Sequence, residues 1–300
     1  MVQNDRERFI EYLRFEKRSS AHTVIAYETD LIQFADFLAT QYQSTDLTEA
    51  SHMMIRSWIV AMMEEGMDPR SVNRKITTLR TFYRYMVRTG KMQRSPMLKV
   101  QAPKTKKKLP EYIDEKKMDL LLSPESLDVN DFEVFRNFLV VDFFYRTGVR
   151  LSELIQLKTT DVNLYNLTIT VLGKRNKVRQ IPITLAFKSL LEEYLSIRKK
   201  TMQETGTDHL YFFLDNKGNQ MSPGFVYQLV KSSISKVSTG KKRSPHVLRH
   251  SFATAMLNHG ADINAIKELL GHSSLAATQV YTHNSIEKLK EIYKQAFPKA

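Results

Sequence analysis

Residues 167–183 read LTITVLGKRNKVRQIPI, and this stretch decides the fold class. Two runs rich in β-branched residues, 167–172 and 178–183, flank the turn-forming G-K-R-N-K. That pattern specifies a β-hairpin. Upstream, 132–145 is strongly apolar and reads as a buried helix broken at Thr147-Gly148, with a short helix following at 152–157. Downstream, helical spacing resumes over 185–200, 223–237, 246–259, 262–270, 274–280 and 285–297. The second half is therefore expected to be α+β, with helices gathered around one small sheet.

Residues 1–100 read as helices throughout. Phe9, Ile10, Leu13 and Phe15 follow helical spacing after Asn4 or Asp5 as a cap. A second stripe carries Val24, Ile25, Tyr27, Leu31, Phe34 and Leu38, and a third runs from near Thr48 through Met54, Trp58 and Met62 to Gly66. The fourth opens after Pro69 with Val72, Ile76, Leu79, Tyr83, Met86 and Val87, and stops near Gly90. Four helices with short connections make a small bundle. The expected fold is thus mainly α with a small β-sheet. Its parts are a four-helix bundle-like domain over 1–100, a basic linker over 101–110 (QAPKTKKKLP) and an α+β domain over 111–300.

Of the 300 residues 42% are hydrophobic, enough to bury sizeable cores, so wholesale disorder is excluded. The absence of cysteine removes disulfides, thiol nucleophiles and Cys-type metal sites together. No run approaches the length of a membrane span, and the start alternates charged and apolar residues instead of forming a signal-type apolar stretch. A soluble, cytoplasmic protein is expected.

The formal charge of +13 is concentrated in one place. Between Asp68 and Glu111 there is no acid but there are 13 bases, so the remainder of the chain is neutral. Such a block points to a polyanion, because Lys and Arg contacts to phosphate dominate nucleic-acid affinity. Arg74, Arg80, Arg84 and Arg88 on the fourth helix, with Lys106, Lys107 and Lys108 in the linker, are the expected DNA contacts. A solvated basic helix with a basic linker is the plainer account of the same charge pattern.

Four clusters in the second half carry chemistry. T-G-V-R-L-S-E-L places Arg150 at the start of a short helix, where backbone N–H groups favour anions. Lys174 sits at the hairpin tip, with Arg175, Lys177 and Arg179 close by in sequence. In H-V-L-R-H, His246 and Arg249 share a helix face. L-L-G-H-S-S places His272 after Gly271, and V-Y-T-H follows with Tyr281. Taken singly, each has an ordinary structural explanation; Arg150, for instance, can simply pair with Glu153. His246 and His250 have ligand-like i,i+4 spacing, but Val247 stands where an H-E-x-x-H motif needs Glu, so a metal site is not expected.

Together these boxes resemble the active-site signature of the tyrosine recombinases, the phage integrase family, and the likeness runs over essentially the whole chain. Size and layout are most similar to the bacterial Xer site-specific recombinases. The resemblance implies Arg150, Lys174, His246, Arg249, His272 and Tyr281 as catalytic residues, with Tyr281 as nucleophile and Glu153 supporting Arg150. It implies a 3′-phosphotyrosyl intermediate, no cofactor, double-stranded DNA as partner and a tetramer on two DNA sites. A second related recombinase and an activating division protein are further possible partners. It also implies that the terminal helix 285–297, with Ile286, Leu289, Ile292, Tyr293 and Phe297 on one face, inserts into a neighbouring protomer; docking on its own core is the simpler outcome. The expected role is resolution of chromosome or plasmid dimers at cell division. The alternatives are a mobile-element integrase of the same family, a type IB-like topoisomerase and a non-catalytic DNA-binding protein. The last leaves the Arg/Lys/His/Tyr set unexplained.

Overall fold

Asn4 caps the first helix, its side chain accepting from the Arg6 N–H while Glu7 reaches back to the Asn4 N–H. In the computed structural model, which describes residues 4–105, 111–123, 127–173, 177–240, 242–271, 291 and 293, this helix is α1 (Asp5–Glu11). The chain forms two units, residues 1–108 and 109–300.

In the first unit α1 runs into a π-turn over Tyr12–Glu16, followed by α2 (Ala21–Tyr42), α3 (His52–Glu64) and α4 (Pro69–Arg88). Ser20, Ser51 and Asp68 cap the last three. Phe34, Ile55, Val72, Ile76 and Phe82 meet in the core. Phe15 departs from the expected stripe and is 75% exposed. The π-turn, in which the Lys17 N–H reaches the Tyr12 carbonyl, changes the helical phase, and Tyr12 and Leu13 face inward. Ile25 is also exposed, whereas Asp30, on the buried face of α2, is fully buried.

The second unit contains α5 (Glu115–Leu121), which the apolar pattern did not mark, and then α6 (Phe132–Thr147) and α7 (Leu151–Gln156). An antiparallel sheet follows, ordered β1 (Val162–Asn163), β2 (Thr168–Leu172) and β3 (Val178–Pro182). The hairpin is as expected, and the two-residue β1 adds a third strand. Helices α8 (Leu185–Thr205), α9 (Pro223–Ser235), α10 (Pro245–Asn258) and α11 (Ile263–Leu270) complete the described part. Helix α6 packs against α8, α9 and α10 and is buried on nearly every face. The mainly α fold with one small sheet is therefore the observed one.

Candidate active site

Gly148 ends α6 in the left-handed region (φ 60°). A Cβ there would lie 2.5 Å from Phe252 Cδ1 and 2.9 Å from Leu270 Cδ2, so both conformation and space demand glycine. Two residues on, Arg150 caps the N-terminus of α7. Its backbone N–H donates to Glu153 Oε2 at 2.7 Å, and its Nη1 donates to Glu153 Oε1 at 2.7 Å. The Arg150 side chain remains 35% exposed.

Glu153 has a second partner that sequence reasoning missed. Arg179, on β3 opposite Val171, donates through Nη1 to Glu153 Oε1 and through Nη2 to Oε2, both at 2.8 Å. The signal was available: strand alternation puts Arg179 on the same inward face as Ile181, and an inward arginine needs an acid. Burial alone would raise the Glu153 pKa, but the hydrogen bonds and charge of Arg179, and then the hydrogen bonds from Arg150, bring it down to about 2.

Pro245 opens α10 and Arg249 lies one turn in, buried. Its Nη1 donates to the Gly148 carbonyl and its Nη2 to the Leu270 carbonyl. Burial, followed by repulsion from Arg150 and Arg179, brings its pKa down to about 10, so it stays charged at neutral pH. His246, one turn earlier, is exposed. Partial desolvation, then the charges of Arg249 and Arg150, lower its pKa and favour the neutral imidazole. His250 stacks on it with centroids 5.2 Å apart. Among the described residues no three His, Asp or Glu side chains converge as metal ligands.

The three arginines meet at the end of α11. The last carbonyls of a helix lack intrahelical partners and carry the negative end of its dipole. Here Arg179 Nε donates to Leu269, Arg249 to Leu270 and Arg150 Nη2 to Gly271, so three consecutive carbonyls are held by three different elements. His272 follows directly in sequence. Gly173, which precedes Lys174, is bonded through its N–H to the Lys177 carbonyl at 2.7 Å. A Cβ on Gly173 would sit 3.5 Å from Arg179 Nη1 and 3.6 Å from Glu153 Oε1, so Gly173 itself lies beside the cluster. Lys174, His272 and Tyr281 themselves lie outside the described residues, as do Lys106, Lys107 and Lys108 and most of 285–297. Of that last stretch, Tyr293 is buried in the core of its own unit, where its hydroxyl donates to the Arg146 carbonyl at 2.9 Å.

The basic helix is more engaged than its charge alone suggested. Arg74 forks onto Asp30, which Lys75 and Thr78 also contact. Arg80 donates to the Val100 carbonyl at 3.2 Å. Arg88 lies over the Tyr12 ring, 4.3 Å from its centroid. Arg84 is exposed and, among the described residues, has no ion pair.

In the second of the two units a buried carboxylate thus holds one guanidinium beside a second. By its sequence this chain belongs to the phage integrase family. Residues 112–288 match the Phage integrase family and residues 7–90 match the phage integrase N-terminal SAM-like domain. The chain is 34% identical to "Tyrosine recombinase XerC" of Chlorobaculum parvum, over 98% of this chain and 94% of that protein. It is likewise 34% identical to "Tyrosine recombinase XerD" of Listeria innocua, over 97% and 98%. The fold is similar to XerH recombinase bound to palindromic difH substrate in a post-cleavage complex (TM-score 0.70, 22% identity, 96% of this chain and 83% of that one). It is also similar to the Tn1549 transposon integrase in complex with transposon right end DNA (TM-score 0.71, 17% identity, 96% and 99%).

Proposed function

We propose that this chain is a site-specific DNA recombinase that cuts and rejoins strands through a 3′-phosphotyrosyl intermediate, and that it resolves chromosome or plasmid dimers at cell division. The observation that supports this most is the pair of guanidiniums, Arg150 and Arg249, on the adjacent carbonyls of Gly271 and Leu270, with Arg150 open to solvent.

In this reading the Tyr281 phenol attacks a backbone phosphorus. The P–O bond to tyrosine forms, the P–O5′ bond breaks, and the ester retains the energy for rejoining. Arg150 and Arg249 neutralise the charge that builds on the non-bridging oxygens, with His272 as a further donor. His246, whose environment favours the neutral form, accepts the phenolic proton, because a phenol with a pKa of ~10 needs a base near neutral pH. Lys174 gives a proton to the departing 5′-oxygen. Glu153 orients Arg150. Arg74, Arg80, Arg84, Arg88 and Lys106–Lys108 contact the duplex, with the domains divided at 101–110.

The assembly is four protomers on two DNA sites, with a second related recombinase and a division protein as possible partners. The compartment is the cytoplasm; no described helix is long and apolar enough to cross a membrane. Incubation with a nicked suicide duplex tests the chemistry. A covalent complex that survives SDS and is lost in Tyr281→Phe is expected, and no adduct from the wild type on any family-type site refutes it. A bound genomic site away from the chromosome terminus would favour a mobile-element integrase.

A further inference from the structure

Arg179 is 5% exposed and cannot meet a phosphate itself, yet it is the most heavily engaged guanidinium in the cluster. Its fork occupies both oxygens of Glu153, and its Nε donates to the Leu269 carbonyl. Glu153 in turn accepts from Arg150 on each oxygen, so its acceptor sites are divided between the two arginines. This raises a question of charge. With Arg150 as its only partner, Glu153 would cancel the positive charge that the phosphate needs. A buried ion pair adds little net stability, so folding alone is a weak reason to place an arginine there.

We infer that Arg179 is a positioning residue for phosphate activation: it compensates Glu153 and fixes its carboxylate, so that Arg150 is aimed by Glu153 while its charge remains available to the scissile phosphate. This rests on the strand-cleavage reading above. Arg150, Arg179 and Arg249 against Glu153 leave the cluster at +2. Attack of a phenolate on a phosphodiester monoanion gives a pentavalent centre carrying two negative charges, which a +2 site matches. Arg179 also sits on β3, so the same side chain joins that strand to α7 and to the end of α11.

The test is single-turnover cleavage of the suicide duplex by the full-length protein, with DNA binding measured in parallel. Arg179→Met keeps the volume and lowers the cluster to +1. It should bind DNA within a few-fold of wild type and cleave about 100-fold more slowly. Adding Glu153→Gln to Arg179→Met restores +2 and should recover at least about tenfold of that loss. Arg179→Lys, which keeps the charge and loses the fork, should fall between the two. A methylphosphonate at the scissile position carries one negative charge fewer and should shrink the Arg179→Met deficit.

Wild-type cleavage by Arg179→Met overturns the inference. So does a double variant no faster than the single one together with an equal deficit on methylphosphonate, the pattern expected of a purely structural ion pair. If Arg179→Met does not fold by circular dichroism, the double variant decides, since it removes the uncompensated carboxylate as well. Folded and DNA-bound, it should cleave within about tenfold of wild type, and failure to cleave counts against the inference. A wild-type protein that forms no adduct refutes the cleavage reading itself, and that outcome is seen before any ratio between variants is taken.

Discussion

Among the described residues, each unit has a buried carboxylate held between a buried cation and a partly exposed arginine. In the first unit Asp30 lies between Lys75 and Arg74, whose side chain is 48% exposed. In the second, Glu153 lies between Arg179 and Arg150. The difference is in what the acid connects. Both cations of Asp30 are neighbours on α4, so the acid fastens α2 to a single helix. The cations of Glu153 come from β3 and α7, and both also reach the end of α11. The same three-part device therefore secures a helix packing in one unit and, in the reading proposed above, aims a guanidinium in the other.

The largest effect should come from breaking the first device. Asp30→Ala leaves Lys75 buried without its acid and should cost about 3–5 kcal/mol. Trp58 is the only tryptophan and belongs to the first unit's core, so urea unfolding followed by tryptophan fluorescence reads that unit alone. An unchanged midpoint would mean that Asp30 does not hold the bundle. In the second device, Arg150→Ala should lower single-turnover cleavage by about 10²–10³-fold with DNA binding close to wild type. Loss of binding instead would make Arg150 a structural residue like Lys75.

A smaller effect is expected from pH. Glu153 is depressed from 4.5 to about 2 in the folded state. The unfolded chain therefore takes up a proton first as pH falls. The stabilisation is complete above about pH 5 and is lost toward pH 2, with a span on the order of 3 kcal/mol. The stability difference between wild type and Glu153→Gln, from urea midpoints by circular dichroism, should shrink between pH 6 and pH 3. A difference independent of pH would show that the carboxylate charge is not what the two arginines hold. The smallest effect is at Arg84, which is exposed on α4. Arg84→Ala should weaken binding about equally across sequences and reduce the salt slope by about one. Loss of preference for one sequence would make Arg84 a base reader.

The residues proposed to meet a substrate were legible because their types are tied to chemistry: Arg150, His246 and Arg249 stand in motifs, and the hairpin follows from two β-branched runs. The residues that meet only one another were harder to read. Arg179 is one of four bases in its hairpin, and only the alternation along β3 turns it inward. Asp30 interrupts an apolar stripe of α2 as a plain acid until its burial is known. Phe15 was misplaced because one extra residue in a π-turn changes which side chains face the core, and 3.6-residue spacing carries no sign of it. Helix α5 is short and carries Lys116 and Lys117 in its first turn, so its apolar period is too brief to register.

Because the Gly271 carbonyl accepts from Arg150, its stretching vibration records that arginine's choice of partner. A carbon-13 label at this one peptide would make the choice visible in infrared difference spectra. The band would rise in frequency when DNA draws the guanidinium onto phosphate and stay in place when it does not, with no reporter group added to the protein.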